Sequence, residues 1–376
     1  ESVSGFTTTG SSILTDIESL PKSILFWRSL THWVGGIGII VLFIIVMPSL
    51  HEGGYQLFTL ESSFQEKMQP RIKSVGQRLA FIYVSLTILE TLLLLAGGMN
   101  IFESICHAFG TVATGGFSPK NSSIGGYSAY IQYVIMIFML LSGTNFIIHY
   151  FLIKRTLIKI KKNEEVKLYF SLVLFFGIFI TLVLFFNGGK TFEESFRESF
   201  FQVISIITCT GYATADYLIW PSFAWLILFF LMFLGGSTGS TAGGIKIARH
   251  LLVYKNLNRQ FREYLHPHAI FPLKLNGNVI GDATNKSILT FVSTYLVVFV
   301  IGSLALIFSG LDGKTSASAA ATAMAGIGPG IGTIGPIANF AHLSDFAKLT
   351  LTLLMILGRL EIFTVLILFT RSFWKE

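Results

Sequence analysis

Four short stretches of this chain carry residue types that can hold a dehydrated cation with backbone alone. They read TTTG at Thr7–Gly10, VATGG at Val112–Gly116, TCTGY at Thr208–Tyr212 and AGIGPG at Ala325–Gly330. Aligned on Gly10, Gly115, Gly211 and Gly328, they recur at roughly hundred-residue intervals, the mark of an internal repeat. Glycine opens backbone angles closed to other residues, so successive carbonyls of such a loop can face one way. A ring of those carbonyls can replace the water shell of a monovalent ion. The four loops hold no Asp or Glu, which argues against a calcium or magnesium path built on charged oxygen ligands. One such loop alone would read as a helix-end turn. Four in the same setting read as parts of one site.

Two further features place polar chemistry inside apolar sequence. Gly235, Gly236, Ser237, Thr238, Gly239, Ser240, Thr241, Ala242, Gly243 and Gly244 interrupt an apolar run. Each interior glycine costs a helix about 1 kcal/mol, so a loop is expected here, its hydroxyls satisfying freed backbone groups. Such a loop can occlude a path beside it; a plain interhelical hinge is the simpler alternative. A glycine-rich loop ahead of Lys246 also suggests a phosphate cradle, but Ile247 follows the lysine and the GxxxxGK[ST] register fails. Arg359 stands near the middle of the last apolar run, where an ionised side chain costs roughly 2.5–3.5 kcal/mol unless wet or paired. Its expected role is an electrostatic barrier to a passing cation, and the alternative is a buried pair with Glu361 or Glu90. Glu361 lies two residues on, a spacing at which helical side chains diverge. His32, His107 and His149 stand apart, without the company a metal site needs.

These features need elements deep in a bilayer to position them. Of 376 residues, 52% are hydrophobic and 12% charged, with a mean hydropathy of +0.68; soluble domains are about a quarter charged. Ile24–Met47, Leu79–Ala96, Tyr130–Ile153, Leu168–Phe186, Ser287–Phe308 and Phe346–Phe369 read as spans, and Pro221–Leu234 as the start of one. Ile101–Gly110, Phe192–Ile207 and Ser316–Ala325 read as half-spans, each leading into a glycine loop. The unit is span, half-span, loop, span. The expected fold is an all-α polytopic membrane protein with pseudo-fourfold M1–P–M2 repeats around a single pore. Residues 1–74 hold the end of repeat 1 with a linker, 75–166 repeat 2, 167–283 repeat 3 with its broken second span, and 284–376 repeat 4. The first unit keeps only its loop and second span, so further chain ahead of residue 1 is expected in the natural protein.

Most of the 27 Lys and Arg lie in the segments joining one unit to the next, among them Lys67, Arg71, Lys154, Lys162, Arg259 and Arg262. A basic excess marks the cytoplasmic side, so all four glycine loops are expected to enter from outside. The net charge of +7 is then a topology signal, not a nucleic-acid footprint. The connectors can meet anionic lipid or a docked partner. Cys106 and Cys209 are too few for a disulfide framework.

The stretches FWRSLTHWVGGIGIIVL, HAFGTVATGGFSPKNSSIG, GGSTGSTAGGIKIAR and MILGRLEIFTVLILF resemble the Trk/Ktr/HKT superfamily of potassium transporters, in its bacterial TrkH/TrkG branch. The resemblance covers essentially the whole chain. It implies a potassium uptake pore of the bacterial inner membrane, working as a homodimer beside a cytosolic, nucleotide-binding, TrkA-like ring. K+ is then the permeant ion, and no organic cofactor is expected on this subunit. The filter would comprise Thr8, Thr9, Gly10, Ala113, Thr114, Gly115, Cys209, Thr210, Gly211, Gly326, Ile327 and Gly328. The 235–244 loop would be an intramembrane gate, with Lys246 and Arg359 beside it. Ile327 stands where the other loops have threonine, so weaker selectivity than that of a TVGYG tetramer is expected. The alternative is a sodium- or proton-coupled secondary transporter, which also uses broken helices; against it, the half-spans all enter from one side. An enzyme is not expected, since HExxH is absent and no GxSxG has a plausible His partner.

Overall fold

The computed structural model describes residues 1–45, 72–187, 189–371 and 373–374. Met47, most of the first polar connector with Lys67 and Arg71, and Lys375 lie outside the described residues. The described residues are mostly helical. After the short α1 (Ser2–Phe6) come α2 (Lys22–Ile45), α3 (Ile72–Ala96), α4 (Ile101–Val112), α5 (Ala129–Ser142), α6 (Phe146–Ile153) and α7 (Leu157–Lys162). Then follow α8 (Glu164–Asn187), α9 (Phe192–Ile207), α10 (Ser222–Leu231), α11 (Ile247–Leu265), α12 (Asp282–Phe308), α13 (Gly313–Ala325), α14 (Asp345–Arg359) and α15 (Ile362–Leu366). Between α11 and α12 sits a minimal antiparallel hairpin, β1 (Lys274–Leu275) with β2 (Asn278–Val279). Its turn, Asn276-Gly277, has positive φ at both residues, as a type I′ turn requires.

Gly76–Ala96, Glu164–Asn187 and Asp282–Phe308 are long and apolar enough to cross a bilayer. Each is followed by a shorter helix packed against it, α4 on α3, α9 on α8 and α13 on α12. The starts of those short helices are fixed by side chains. Asn100 accepts the Glu103 N–H, Thr191 and Glu194 form a reciprocal capping box, and Asp312 accepts the Thr315 N–H. Such caps are worth about 1 kcal/mol each.

Two of the four second spans differ from the sequence expectation. Tyr130–Ile153 and Phe346–Phe369 read as continuous, but α5 and α6 meet at 101°, and α14 meets the final turns at 117°. The first bend is stabilised from outside. Asn145 caps α6 by accepting the Ile147 N–H, and the 235–244 loop bonds to backbone on both sides of the break. At the second bend Glu361 takes φ +61°, an angle costly for any residue but glycine.

Large apolar side chains face outward at mid-span, with Phe175 63%, Val297 56% and Leu304 59% exposed. The interior around the loops is unusually polar, burying Thr9, Ser205, Thr210, Ser240, Thr241 and Ser318. That inversion suits a lipid exterior around a polar centre. The helix α13, rich in Ser and Ala, is buried along almost its whole length, and small residues allow backbones to approach closely there.

Candidate functional site

Each glycine loop begins where a short helix ends, and the four endings share one geometry. The N–H groups of Thr9, Gly115, Thr210 and Ile327 reach back five residues to the carbonyls of Ser4, Gly110, Ser205 and Thr322, at 2.9, 2.7, 2.8 and 3.0 Å. This is the wide hydrogen bond of a helix closed by a left-handed residue. The left-handed residue is Thr8, Thr114, Cys209 or Gly326, at φ 53°, 52°, 57° and 70°. Two positions on, a glycine again has positive φ: Gly10 (81°), Gly116 (79°), Gly211 (78°) and Gly328 (101°).

This corrects the expected alignment of the second loop. Gly116, not Gly115, is the counterpart of Gly10, Gly211 and Gly328. Ala113 belongs to the helix cap, at φ −77° and ψ −8°, as do Thr7 and Thr208. The equivalent triplets are Thr8-Thr9-Gly10, Thr114-Gly115-Gly116, Cys209-Thr210-Gly211 and Gly326-Ile327-Gly328. Gly115 therefore stands opposite Thr9, Thr210 and Ile327. Where two glycines adjoin, nothing in the sequence says which carries the strained angle.

The triplets touch in a closed cycle. A Cβ on Gly10 would strike the carbonyl oxygen of Gly115; on Gly116, that of Thr210; on Gly211, that of Ile327; and on Gly328, that of Thr9, at 2.7 Å. Loop one thus abuts loop two, two abuts three, three abuts four, and four returns to one. The four loops surround a common axis, and each glycine is required twice over, by its φ and by the oxygen of the next loop. Thr8, Thr9, Thr114, Cys209, Thr210 and Ile327 are at most 1% exposed, and Gly10, Gly116 and Gly326 are half-buried. The ring is a largely buried feature of polar backbone.

The 235–244 loop lies against the same ring. A Cβ on Gly243 would meet the carbonyl of Ala325, and one on Gly244 would lie 3.6 Å from Cys209 Sγ. Thr241 Oγ1 donates to Val112 O at 3.0 Å and to Ser142 O at 3.3 Å. The loop therefore covers the side where α4, α9 and α13 end. Its own backbone is well bonded. Ser237 N–H donates to Gly143 O (2.9 Å), Gly239 O accepts from Phe146 N–H (3.1 Å), and Gly235 N–H donates to Ile245 O (2.8 Å). Ser237, Ser240 and Thr241 are buried, and the Lys246 ammonium bonds to Ala242 O within the loop.

Arg359 ends α14 and ties this loop to α2. Its guanidinium donates to Thr241 O at 2.9 Å and to Gly35 O at 3.2 Å. Among the described residues it forms no pair with Glu361 or Glu90. Glu361 instead pairs with Arg249 at 2.8 Å.

One contributor escaped the sequence reading. Glu165 is fully buried, and its Oε1 accepts both the Thr238 N–H (2.6 Å) and the Ala248 N–H (3.2 Å), joining the loop to the start of α11. Beside Glu164 and a basic connector it reads as a solvated helix start; no local signal marks it. His32 likewise looked isolated, yet its ring lies against the second loop, stacked on Phe117 at 3.9 Å.

The family model of the TrkH cation transport proteins matches residues 1–375. The chain is 38% identical over 382 residues to the Trk system potassium uptake protein TrkH of Salmonella typhimurium, covering 100% of this chain and 79% of that protein. It is 38% identical to TrkI of Halomonas elongata (100% and 77% covered) and 36% to TrkG of Escherichia coli (100% and 78%). The crystal structure of the potassium transporter TrkH from Vibrio parahaemolyticus superposes with a TM-score of 0.89 at 34% identity, covering 99% of this chain and 77% of that one. These relatives are transporters and not enzymes. Matched from end to end in sequence and in helical membrane architecture, this chain belongs to the TrkH family of cation transport proteins.

Proposed function

We propose that the chain takes up potassium, the ion passing through the ring of glycine loops and held there by backbone carbonyls of the four triplets. The observation that carries this reading is the closed cycle of loop contacts. The short helices direct their C-terminal ends at the ring, and each such end carries about half a negative charge, which favours a cation. The relatives named as potassium uptake proteins support the choice of cargo. The filter set is then Thr8, Thr9, Gly10, Thr114, Gly115, Gly116, Cys209, Thr210, Gly211, Gly326, Ile327 and Gly328, with Gly116 taking the place of Ala113, which belongs to the helix cap.

The 235–244 loop acts as the gate, since it packs across the ring and bonds to three neighbouring backbones. Arg359 and Lys246 hold it in place, and the positive charge of Arg359 adds a barrier to the passing ion. Homodimerisation, a cytosolic nucleotide-binding ring, four repeats bounded near residues 74, 166 and 283, and a bacterial inner-membrane location with loops facing outward complete the proposal. Basic connectors support that orientation, and they offer surfaces for the ring and for anionic lipid.

The test is cation influx into proteoliposomes holding the purified protein. Potassium and rubidium should enter well, sodium less, and lithium poorly. Equal entry of all four, or influx that needs a stoichiometric co-substrate, contradicts a carbonyl filter.

A further inference from the structure

The four triplets are alike in backbone but not in what braces them. In the first and third loops the middle residue is a threonine whose hydroxyl meets that of the capping threonine, Thr9 with Thr7 and Thr210 with Thr208, both at 2.8 Å. In the fourth loop the middle residue is Ile327, buried in the main apolar core. The second loop has Gly115 in that place, after Ala113, and neither residue can form the hydroxyl tie. The space of the missing side chain is filled by the imidazole of His32, from α2. A Cβ on Gly115 would strike the ring at Nδ1 and lie 2.7 Å from Cε1. Gly115 is not among the residues of positive φ, so backbone conformation does not demand glycine here; the imidazole does.

We infer that His32 is the positioning residue of the second loop, standing in for the threonine pair that braces the first and third. The ring does so at two points beyond Gly115. Its Nδ1 accepts the Phe117 N–H at 3.4 Å, and it stacks on the Phe117 ring at 3.9 Å and 12°. Arg28, one turn earlier on α2, brings its guanidinium carbon 3.6 Å from the centroid of the same ring and donates to Ser118 O at 2.9 Å. Glu1 fixes that arginine at 2.6 Å. The second span of repeat 1 thus grips the residues immediately after Gly116, where the loop leaves its positive φ.

The inference rests on the ring acting as the ion filter, and the experiment separates the two. The ratio of rubidium to sodium influx is measured in proteoliposomes for the wild type, His32→Ala, His32→Asn, Gly115→Thr, and the triple variant His32→Ala/Ala113→Thr/Gly115→Thr. Removing the imidazole should lower the ratio severalfold, towards one, as misplacement of a preorganised site weakens what it does. His32→Asn keeps an acceptor but no ring, and should fall between. Gly115→Thr with His32 in place should lose selectivity through the clash, whereas the triple variant, with the threonine tie of the third loop rebuilt, should regain most of it. That rescue distinguishes a filter brace from a residue needed merely for folding, and it remains readable even if His32→Ala alone does not fold. An unchanged ratio in His32→Ala, a tolerated Gly115→Thr beside the intact imidazole, or a folded triple variant without selectivity each overturns the inference. A wild type that does not prefer rubidium removes the filter reading itself, and this inference with it.

Discussion

Arg359 places a fixed positive charge beside the ring and gives its hydrogen bonds to two backbone carbonyls, Thr241 O in the 235–244 loop and Gly35 O in α2. Hydrogen bonds from a charged donor contribute about 1.5–3 kcal/mol each. If Arg359 both holds the loop and repels the passing ion, as proposed, Arg359→Ala should loosen the loop and raise basal potassium influx without any cytosolic partner. Unchanged or lower influx in a folded variant argues against both roles. At this scale much was legible in the chain. The left-handed Thr8, Thr114 and Cys209 and the positive-φ glycines fall within the stretches singled out for glycine and small polar residues. The register of the second loop was not legible, because Gly115 and Gly116 are equivalent to any reading that sees only residue type. What separates them is the imidazole of His32, 83 positions away in sequence and adjacent only in the fold.

Among the elements, the half-spans and first spans follow from apolar run length and caps, and they appear where the sequence predicts. Two of the second spans, Tyr130–Ile153 and Phe346–Phe369, do not, because their breaks are tertiary events. The turn between α5 and α6 is held by Ser237 N–H on Gly143 O and by Phe146 N–H on Gly239 O, bonds supplied by a loop about one repeat away. Without that loop, Tyr130–Ile153 has ample apolar length for one helix. The same loop is fastened at its other side by Glu165, whose Oε1 accepts N–H groups from Thr238 and Ala248. Glu165→Ala leaves those two donors to find new partners, at a cost of about 1–3 kcal/mol for each that stays buried and unpaired. The expected result is a loop released from α8, seen as higher basal influx and faster hydrogen exchange over 235–248. Protection equal to that of the wild type would show that Glu165 does not fasten the loop.

The described residues turn large apolar side chains outward along the long helices and bury Thr and Ser hydroxyls around the ring where the four glycine loops meet. Its repeats are unequal: two threonine ties, one imidazole and one buried isoleucine brace four loops of like conformation. The central claim is that these loops form one filter and not four separate turns. The most direct test compares potassium and sodium influx in proteoliposomes for Gly10→Ala, Gly116→Ala, Gly211→Ala and Gly328→Ala, one at a time. Each added methyl meets the carbonyl of the next loop, and a left-handed residue other than glycine costs about 1–2 kcal/mol. A single filter predicts that all four variants lose preference for potassium; a variant among them that keeps wild-type influx and preference would contradict it.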